Sequence, residues 1–136
     1  MLARLYDQTV TLATVLSHDD YNPGNLLFDG GRLSGVVDWA YITIEPRHAA
    51  VALFRHFLAI HPGGKTPEMF LDAYEHAAKT SLDDLPLWDV RYGLRGVRPV
   101  DHWVLAFNGL GLDITSTEIQ DRSRAWVRKA IVNAED

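Results

Sequence analysis

The chain has 136 residues, a length that suits one domain with a single hydrophobic core. Its composition, 47% hydrophobic and 23% charged, is that of a soluble globular protein, and no apolar run approaches the ~20 residues of a membrane helix. A net charge of −5 argues against a nucleic-acid partner, and the absence of cysteine excludes disulfides, thiolate metal sites and cysteine nucleophiles. The first residues show no signal pattern, so we expect no membrane association and a cytoplasmic protein.

The first part of the chain combines a helical pattern with a polar loop. Apolar residues at helical spacing predict a helix over residues 2–14, followed by a short extended segment over 15–17. The next residues, 18–25, are rich in Asp, Asn, Pro and Gly. Pro23 has a fixed φ angle and disfavours a helical backbone conformation at Asn22, so this stretch is expected to be a loop.

Two short apolar runs after this loop predict a β-hairpin. They are Leu26–Phe28 and Leu33–Val37, and the turn sequence Asp29-Gly30-Gly31-Arg32 lies between them. A hairpin brings its two ends together. Asn25, which precedes the first strand, and Asp38, which follows the second, should therefore lie close in space.

The polar side chains at this point suit a phosphotransferase that uses a magnesium nucleotide. Asn25 and Asp38 are predicted to bind the Mg²⁺ ion that bridges the phosphates of ATP, and Asp20 to accept or position the proton of the attacking hydroxyl. Simpler roles are an Asx turn for Asp20, a cap for Asn25 and a surface carboxylate for Asp38. The spacing matches neither a calcium-binding EF-hand loop nor a zinc site.

The remainder is predicted to be helical. A buried helix is expected from about Arg47 to Ile60, and a second from Thr66, as N-cap, to about Lys79, with a loop over 82–86. The inward stripe of the second helix is predicted as Met69, Phe70, Ala73, Tyr74 and Ala77. Helices over 87–96 and 100–110 are separated by Pro99, and Thr115 to Glu118 are typical of the start of a last helix that ends near Val132.

The spacing of His18, Asp20 and Asn25 matches the catalytic loop of protein kinases, H-R-D-L-x-x-x-N, and Asp38-Trp39-Ala40 falls where D-F-G would stand. With Pro23 to Leu27 and Gly35 to Trp39, the chain resembles the aminoglycoside phosphotransferase and choline kinase-like family. The resemblance implies a mainly α (α+β) fold, a kinase-like C-terminal lobe with its catalytic loop and metal-binding hairpin over 16–46 and an acceptor-side helical region over 47–136. It also implies that His18 holds the loop by hydrogen bonds.

Two departures from the family pattern stand out. The family usually has Gly in the place of Asp19, and an acid that braces the catalytic loop in the place of Ala49. Enzymes of this family also carry an N-terminal lobe with a phosphate-covering loop and a lysine that holds the phosphates. We expect this lobe to be absent here and to come from another chain, a second copy or a longer native chain.

Two functions remain open. The first is transfer of the γ-phosphoryl group of ATP to a hydroxyl of a small molecule, inactive without an N-lobe. The second is a non-catalytic kinase-like module that dimerises or binds a partner through its exposed face. Acidic and aromatic side chains of the helical region are candidates for the acceptor pocket: Glu75, Asp83, Asp84, Asp89, Asp101, Trp88, Tyr92 and Trp103.

Overall fold

The computed structural model describes residues 3, 7, 12–61 and 65–135. Within these residues, four short strands form two separate two-stranded antiparallel sheets, and five α-helices follow them. The strands are β1 (Thr14–Ser17), β2 (Leu26–Asp29), β3 (Arg32–Val36) and β4 (Thr43–Pro46). The helices are α1 (Arg47–Ile60), α2 (Thr66–Ala78), α3 (Leu85–Gly93), α4 (Asp101–Gly109) and α5 (Ser116–Glu135). The predicted fold class, mainly helical with short hairpins, is confirmed.

The predicted hairpin is also confirmed. Strands β2 and β3 pair in antiparallel register, with Leu26 opposite Val36. The turn between them places Gly30 at φ +54° and Gly31 at φ +79°. Two successive left-handed residues define the turn that matches the twist of a hairpin, and glycine adopts this conformation without a steric cost.

The second sheet joins the chain segments on either side of the loop and the hairpin. Leu16 in β1 lies opposite Ile44 in β4, and Ser17 lies opposite Thr43. The catalytic loop therefore starts at the end of one strand, and the chain returns along the neighbouring strand before it enters α1. The predicted extended segment over 15–17 is confirmed, while the predicted helix over 2–14 falls mainly outside the described residues and gives way to β1 at Thr14.

Helix α1 lies at the centre of the helical part, as its apolar sequence predicts. Most of its side chains are buried, and Ile60 at its end has no exposed surface. It packs against α2, α3 and α5. Trp88 of α3 and Ile119 of α5 complete the same hydrophobic core.

The prediction for α2 is right in its range and wrong in two details. Thr66 is the first helical residue, and Lys65 occupies the N-cap without a side-chain hydrogen bond. Only Phe70 and Tyr74 of the predicted stripe, together with Leu71, pack against the core, whereas Met69 is 66% exposed. Helix α2 packs against α1, and Met69, Ala73 and Ala77 of the predicted stripe remain exposed.

The capping prediction for the last helix is confirmed by its hydrogen bonds. The hydroxyl of Thr115 accepts a hydrogen bond from the Glu118 backbone N–H at 3.2 Å, and the Glu118 carboxylate accepts one from the Thr115 N–H at 2.9 Å. Ile119, Trp126 and Ala130 are buried on the inner side of this helix, and Ile131 is half-buried. The helix continues to Glu135, beyond the predicted end. In the part of the chain that the structure describes, no helix is long and apolar enough to cross a membrane.

Candidate active site

The loop over residues 18–25 is shaped by hydrogen bonds from its own amides. The side-chain oxygen of Asn22 accepts a hydrogen bond from the Gly24 N–H at 2.8 Å, and the Asn25 N–H donates to the Asn22 carbonyl at 3.0 Å. Pro23 starts the 3₁₀ turn Pro23–Asn25, where its fixed φ fits a helical start. This turn brings the side chain of Asn25 back towards Asp20.

Two amides hold the Asp20 carboxylate. Asn22 Nδ2 donates to Asp20 Oδ1 at 3.0 Å, and Asn25 Nδ2 donates to Asp20 Oδ2 at 3.1 Å and to the Asp20 carbonyl at 2.8 Å. Both partners of the Asn25 amide can only accept. The nitrogen must therefore face Asp20, and the amide oxygen of Asn25 is left for another ligand.

His18 connects the loop to the hairpin. Its ring is buried, and Nε2 donates to the Val37 carbonyl at 2.7 Å while Nδ1 accepts from the Asp20 N–H at 3.3 Å. A carbonyl can only accept, so the proton lies on Nε2. The ring of Trp39 lies 4.6 Å from the imidazole, centroid to centroid, and Trp39 Nε1 donates to the Val36 carbonyl. The hydrogen bonds expected of His18 are therefore present.

The hairpin brings the residue before Asp38 into contact with Asn25. The Val37 N–H donates to the Asn25 carbonyl at 3.0 Å, which extends the β2–β3 ladder by one step and leaves Asp38 as the next residue. Asp38 has a left-handed backbone with φ +61° and is exposed. It starts the 3₁₀ turn Trp39–Tyr41 without capping it.

The residues at this end of the hairpin fit a magnesium ion. Asp38 offers a carboxylate that accepts no hydrogen bond from the described residues, and Asn25 offers an amide oxygen. No three His, Asp or Glu residues in the described ranges cluster closely enough to hold a metal ion by themselves. Magnesium sites in nucleotide enzymes use one or two protein ligands together with phosphate oxygens and water, so two protein oxygens suffice.

A cavity of about 660 Å³ opens beside Asp20. The catalytic loop forms one wall, with Asp19, Asp20, Asn22 and Asn25, and α4 forms the opposite wall. The other lining residues are Gly24, Tyr41, Phe57, His102, Trp103, Ala106, Phe107 and Leu110. Asp38 is not among them. The cavity is of a size that holds a small molecule.

The α4 wall is the part of the site that the sequence did not reveal, apart from Trp103. His102, Ala106 and Leu110 follow one another at intervals of four residues along one helical face, a signal that was present in the sequence. Nothing in the sequence indicated that this face meets the catalytic loop.

Most of the other acceptor-pocket candidates lie elsewhere. Trp88 and Tyr92 are core residues, and Asp89 is buried in an ion pair with Arg55 at 2.6 Å. Glu75 accepts a hydrogen bond from the Leu82 N–H. None of the five predicted acids lines the cavity beside Asp20.

Glu45 lies in β4 opposite Val15, four residues before Ala49, where the family has its bracing acid. Ala49 itself is buried in the core. Glu45 lies next to Ser17, and the Tyr92 hydroxyl donates to its carboxylate at 3.5 Å. Burial raises the pKa of Glu45 above its usual range and, as the largest cause, raises the pKa of Tyr92 to about 12. The base of the loop therefore contacts an acid that the sequence analysis did not consider.

Comparison with known proteins gives one result. A model of the phosphotransferase enzyme family matches residues 1–92, which is more than half of the chain. The chain belongs to this family. Searches of the curated proteins and of the solved structures find no match.

The part of the chain that matches the family contains the loop over residues 18–25, the hairpin and the helices α1 and α2, and it ends within α3. The α4 wall of the cavity lies beyond residue 92. The loop side of the site is thus shared with the family, and the opposite wall lies outside the matched region.

Proposed function

We propose that this protein transfers the γ-phosphoryl group of ATP to a hydroxyl of a small molecule in a Mg²⁺-dependent reaction. The observation that carries the proposal is the double role of Asn25. Its amide nitrogen holds Asp20, and its oxygen points away, next to the start of the hairpin that ends at Asp38. One residue thereby joins the candidate base to the candidate metal site.

In this proposal Asp20 faces the acceptor in the cavity and takes the proton of its hydroxyl. The amides of Asn22 and Asn25 fix the orientation of the Asp20 carboxylate, and correct orientation is the main source of rate in phosphoryl transfer. His18 sets the distance between the loop and the hairpin. Asn25 and Asp38 would hold Mg²⁺, which, when bound, neutralises charge on the phosphates.

We further propose that the phosphate-covering N-lobe comes from a longer native chain, another polypeptide or a second copy. The catalytic loop and hairpin supply metal and acceptor contacts only. Phosphate contacts contribute much of the rate in phosphoryl transfer, so we expect turnover to depend on such a lobe.

Isothermal titration with Mg·ATP tests the metal site. We expect weak binding by the unmodified chain and none by Asp38→Ala. Asp29→Ala is the matched control, because Asp29 is an exposed carboxylate at the opposite end of the same hairpin and should leave binding unchanged. Asp20→Asn should also bind Mg·ATP normally, since Asp20 is assigned to the acceptor and not to the metal. Equal binding by the unmodified chain and Asp38→Ala would contradict the proposal.

One observation favours the second candidate function, a binding module. Leu16 and Ile44 face each other across the β1–β4 pair and are 68% and 72% exposed, and Phe28 on the hairpin is 63% exposed. Such apolar surface suits a protein contact. A dimer mass by light scattering, together with no Mg·ATP binding, would favour this function over catalysis.

A further inference from the structure

The two walls of the cavity beside Asp20 differ in chemistry. Among the residues that the structure describes, the carboxylates that line it are Asp19 and Asp20, and both lie on the loop. The α4 wall contributes no acid. An acceptor with several positive charges would therefore place ammonium groups against a surface that has no charge to pair with them.

The α4 wall is instead a continuous set of rings and aliphatic side chains. The ring of Trp103 lies 5.5 Å from that of Phe57 and 5.9 Å from that of His102, and Phe57 lies 6.1 Å from Phe107. Phe57 and Phe107 are buried and form the base, while Leu110 is 50% exposed at the rim. These ring pairs are tilted by 55–71° to one another, so the wall is an uneven apolar surface, which the apolar part of a ligand covers favourably.

The wall lies close to the catalytic loop. A Cβ atom added to Gly24 would lie 3.7 Å from Leu110 Cδ1, an ordinary van der Waals contact. A molecule that rests on Leu110 and Trp103 would therefore lie next to the loop that carries Asp20.

From this geometry we propose that the acceptor is an uncharged, hydroxylated molecule with an apolar body, which is selected by Trp103 of α4 and by Leu110 directly after this helix. The proposal rests on the proposed function in one respect, since it takes Asp20 as the group that receives the acceptor hydroxyl. It adds the chemical class of the acceptor and identifies the wall of the cavity that selects this class.

Calorimetric titration of the full chain, without Mg²⁺ or ATP, tests this class with three hydroxylated probes. They are 4-methylumbelliferyl β-D-glucopyranoside (neutral, with a flat ring), kanamycin A (a polycation) and choline (a single cation). The glucoside is expected to bind at least about tenfold more tightly than either cation, a difference of ~1.4 kcal/mol. Tighter binding of kanamycin A or choline, or no measurable binding of the glucoside, would overturn the proposal.

Two variants at the end of the cavity wall locate the contact. Leu110→Ala, directly after α4, should weaken glucoside binding by roughly tenfold, because it removes apolar surface that the ligand covers. Leu105→Ala is the control, since Leu105 is 77% exposed on α4 and does not line the cavity. Equal affinity of both variants for the glucoside would contradict the proposal that Leu110 contacts the acceptor. Because no nucleotide is present, loss of Mg·ATP binding in the earlier test would not affect this result, and the two failures can be told apart.

Discussion

The Nε2 atom of His18 lies 2.7 Å from the carbonyl oxygen of Val37, the residue immediately before Asp38. The other nitrogen of the same ring accepts a hydrogen bond from the backbone of Asp20. One imidazole thus fixes the backbone next to both candidate acids, which are eighteen residues apart in sequence. The ring is buried and both of its nitrogens make hydrogen bonds, which suits the expectation that His18 holds the loop.

Replacement of His18 by alanine should therefore lower stability and weaken the metal site together. The change removes two hydrogen bonds and a buried ring, so we expect a loss of about 1–3 kcal/mol in the free energy of unfolding, measured in urea. Mg·ATP binding should fall as well, because the hairpin is no longer tied to the loop. His76→Ala, at an exposed histidine of α2, should change stability by less than about 0.5 kcal/mol. Similar results for both variants would contradict the role given to His18.

Gly96 marks a close approach between the segment after α3 and helix α5. A Cβ atom at this position would lie 2.2 Å from Ser123 Oγ and 2.9 Å from a ring carbon of His56, and both residues are fully buried. Gly96→Ala should cost about 1–3 kcal/mol in urea unfolding, because no side chain nearby can move away. Gly109→Ala is the comparison, since nothing lies within 4 Å of its Cβ position. Alanine also favours the helix in which Gly109 lies, so this second variant should lose no stability. Unchanged stability of Gly96→Ala would show that the packing is looser than described.

His56 should make stability depend on pH. Burial lowers its pKa from 6.5 to about 3, with a further contribution from Arg95, and its Nε2 lies 3.0 Å from Ser123 Oγ. Between these two pH values the unfolded chain binds a proton at His56 and the folded chain does not. The stabilisation is complete above pH 6.5 and is lost as the pH falls, by ~1.4 kcal/mol per unit.

The variant His56→Gln isolates this contribution from other titrating groups. Urea unfolding at about pH 7 and pH 5 should show that the unmodified chain loses ~2 kcal/mol more than the variant over this interval. The comparison uses the difference between two pH values, so a general loss of stability in the variant does not affect it. Equal pH dependence of both proteins would mean that folding does not lower the pKa of His56.

Thr115 and Glu118 provide a simpler test of local structure. Thr115→Ala removes the hydroxyl that caps α5 and should destabilise the protein by ~1 kcal/mol in thermal or urea unfolding. Thr117→Ala, at an exposed residue in the first turn of the same helix, should have a smaller effect. A loss of stability in Thr117→Ala that equals or exceeds the loss in Thr115→Ala would contradict the prediction.

These cases show why some features could be predicted from sequence and others could not. The Gly30-Gly31 turn and the Thr115 cap depend on neighbours within a few residues, and both were predicted correctly. The loop and hairpin were predictable because a hairpin determines which of its residues meet. The magnesium and catalytic roles of Asp20, Asn25 and Asp38 stay predictions.

The features that sequence missed depend on packing between distant segments. The α4 face with Leu110 meets the catalytic loop across more than eighty residues of chain, and no local pattern encodes that contact. Met69 was assigned to the core by its spacing, but it remains exposed although α2 packs against α1. Glu45 was passed over because an isolated acid at a strand gives no sign of burial.

The close contact of α3 with α5 determines how the protein can be divided. Val90 packs with Val127 and Ala130, and a Cβ atom at Gly93 would come within 2.7 Å of Val127. A fragment cut at residue 92 would keep every residue proposed for catalysis and metal binding, yet it would leave Val90 and the base of α1 open to water. We therefore expect residues 1–92 not to fold stably without the rest of the chain. A chimeric protein that contains residues 1–92 without α5 should be insoluble.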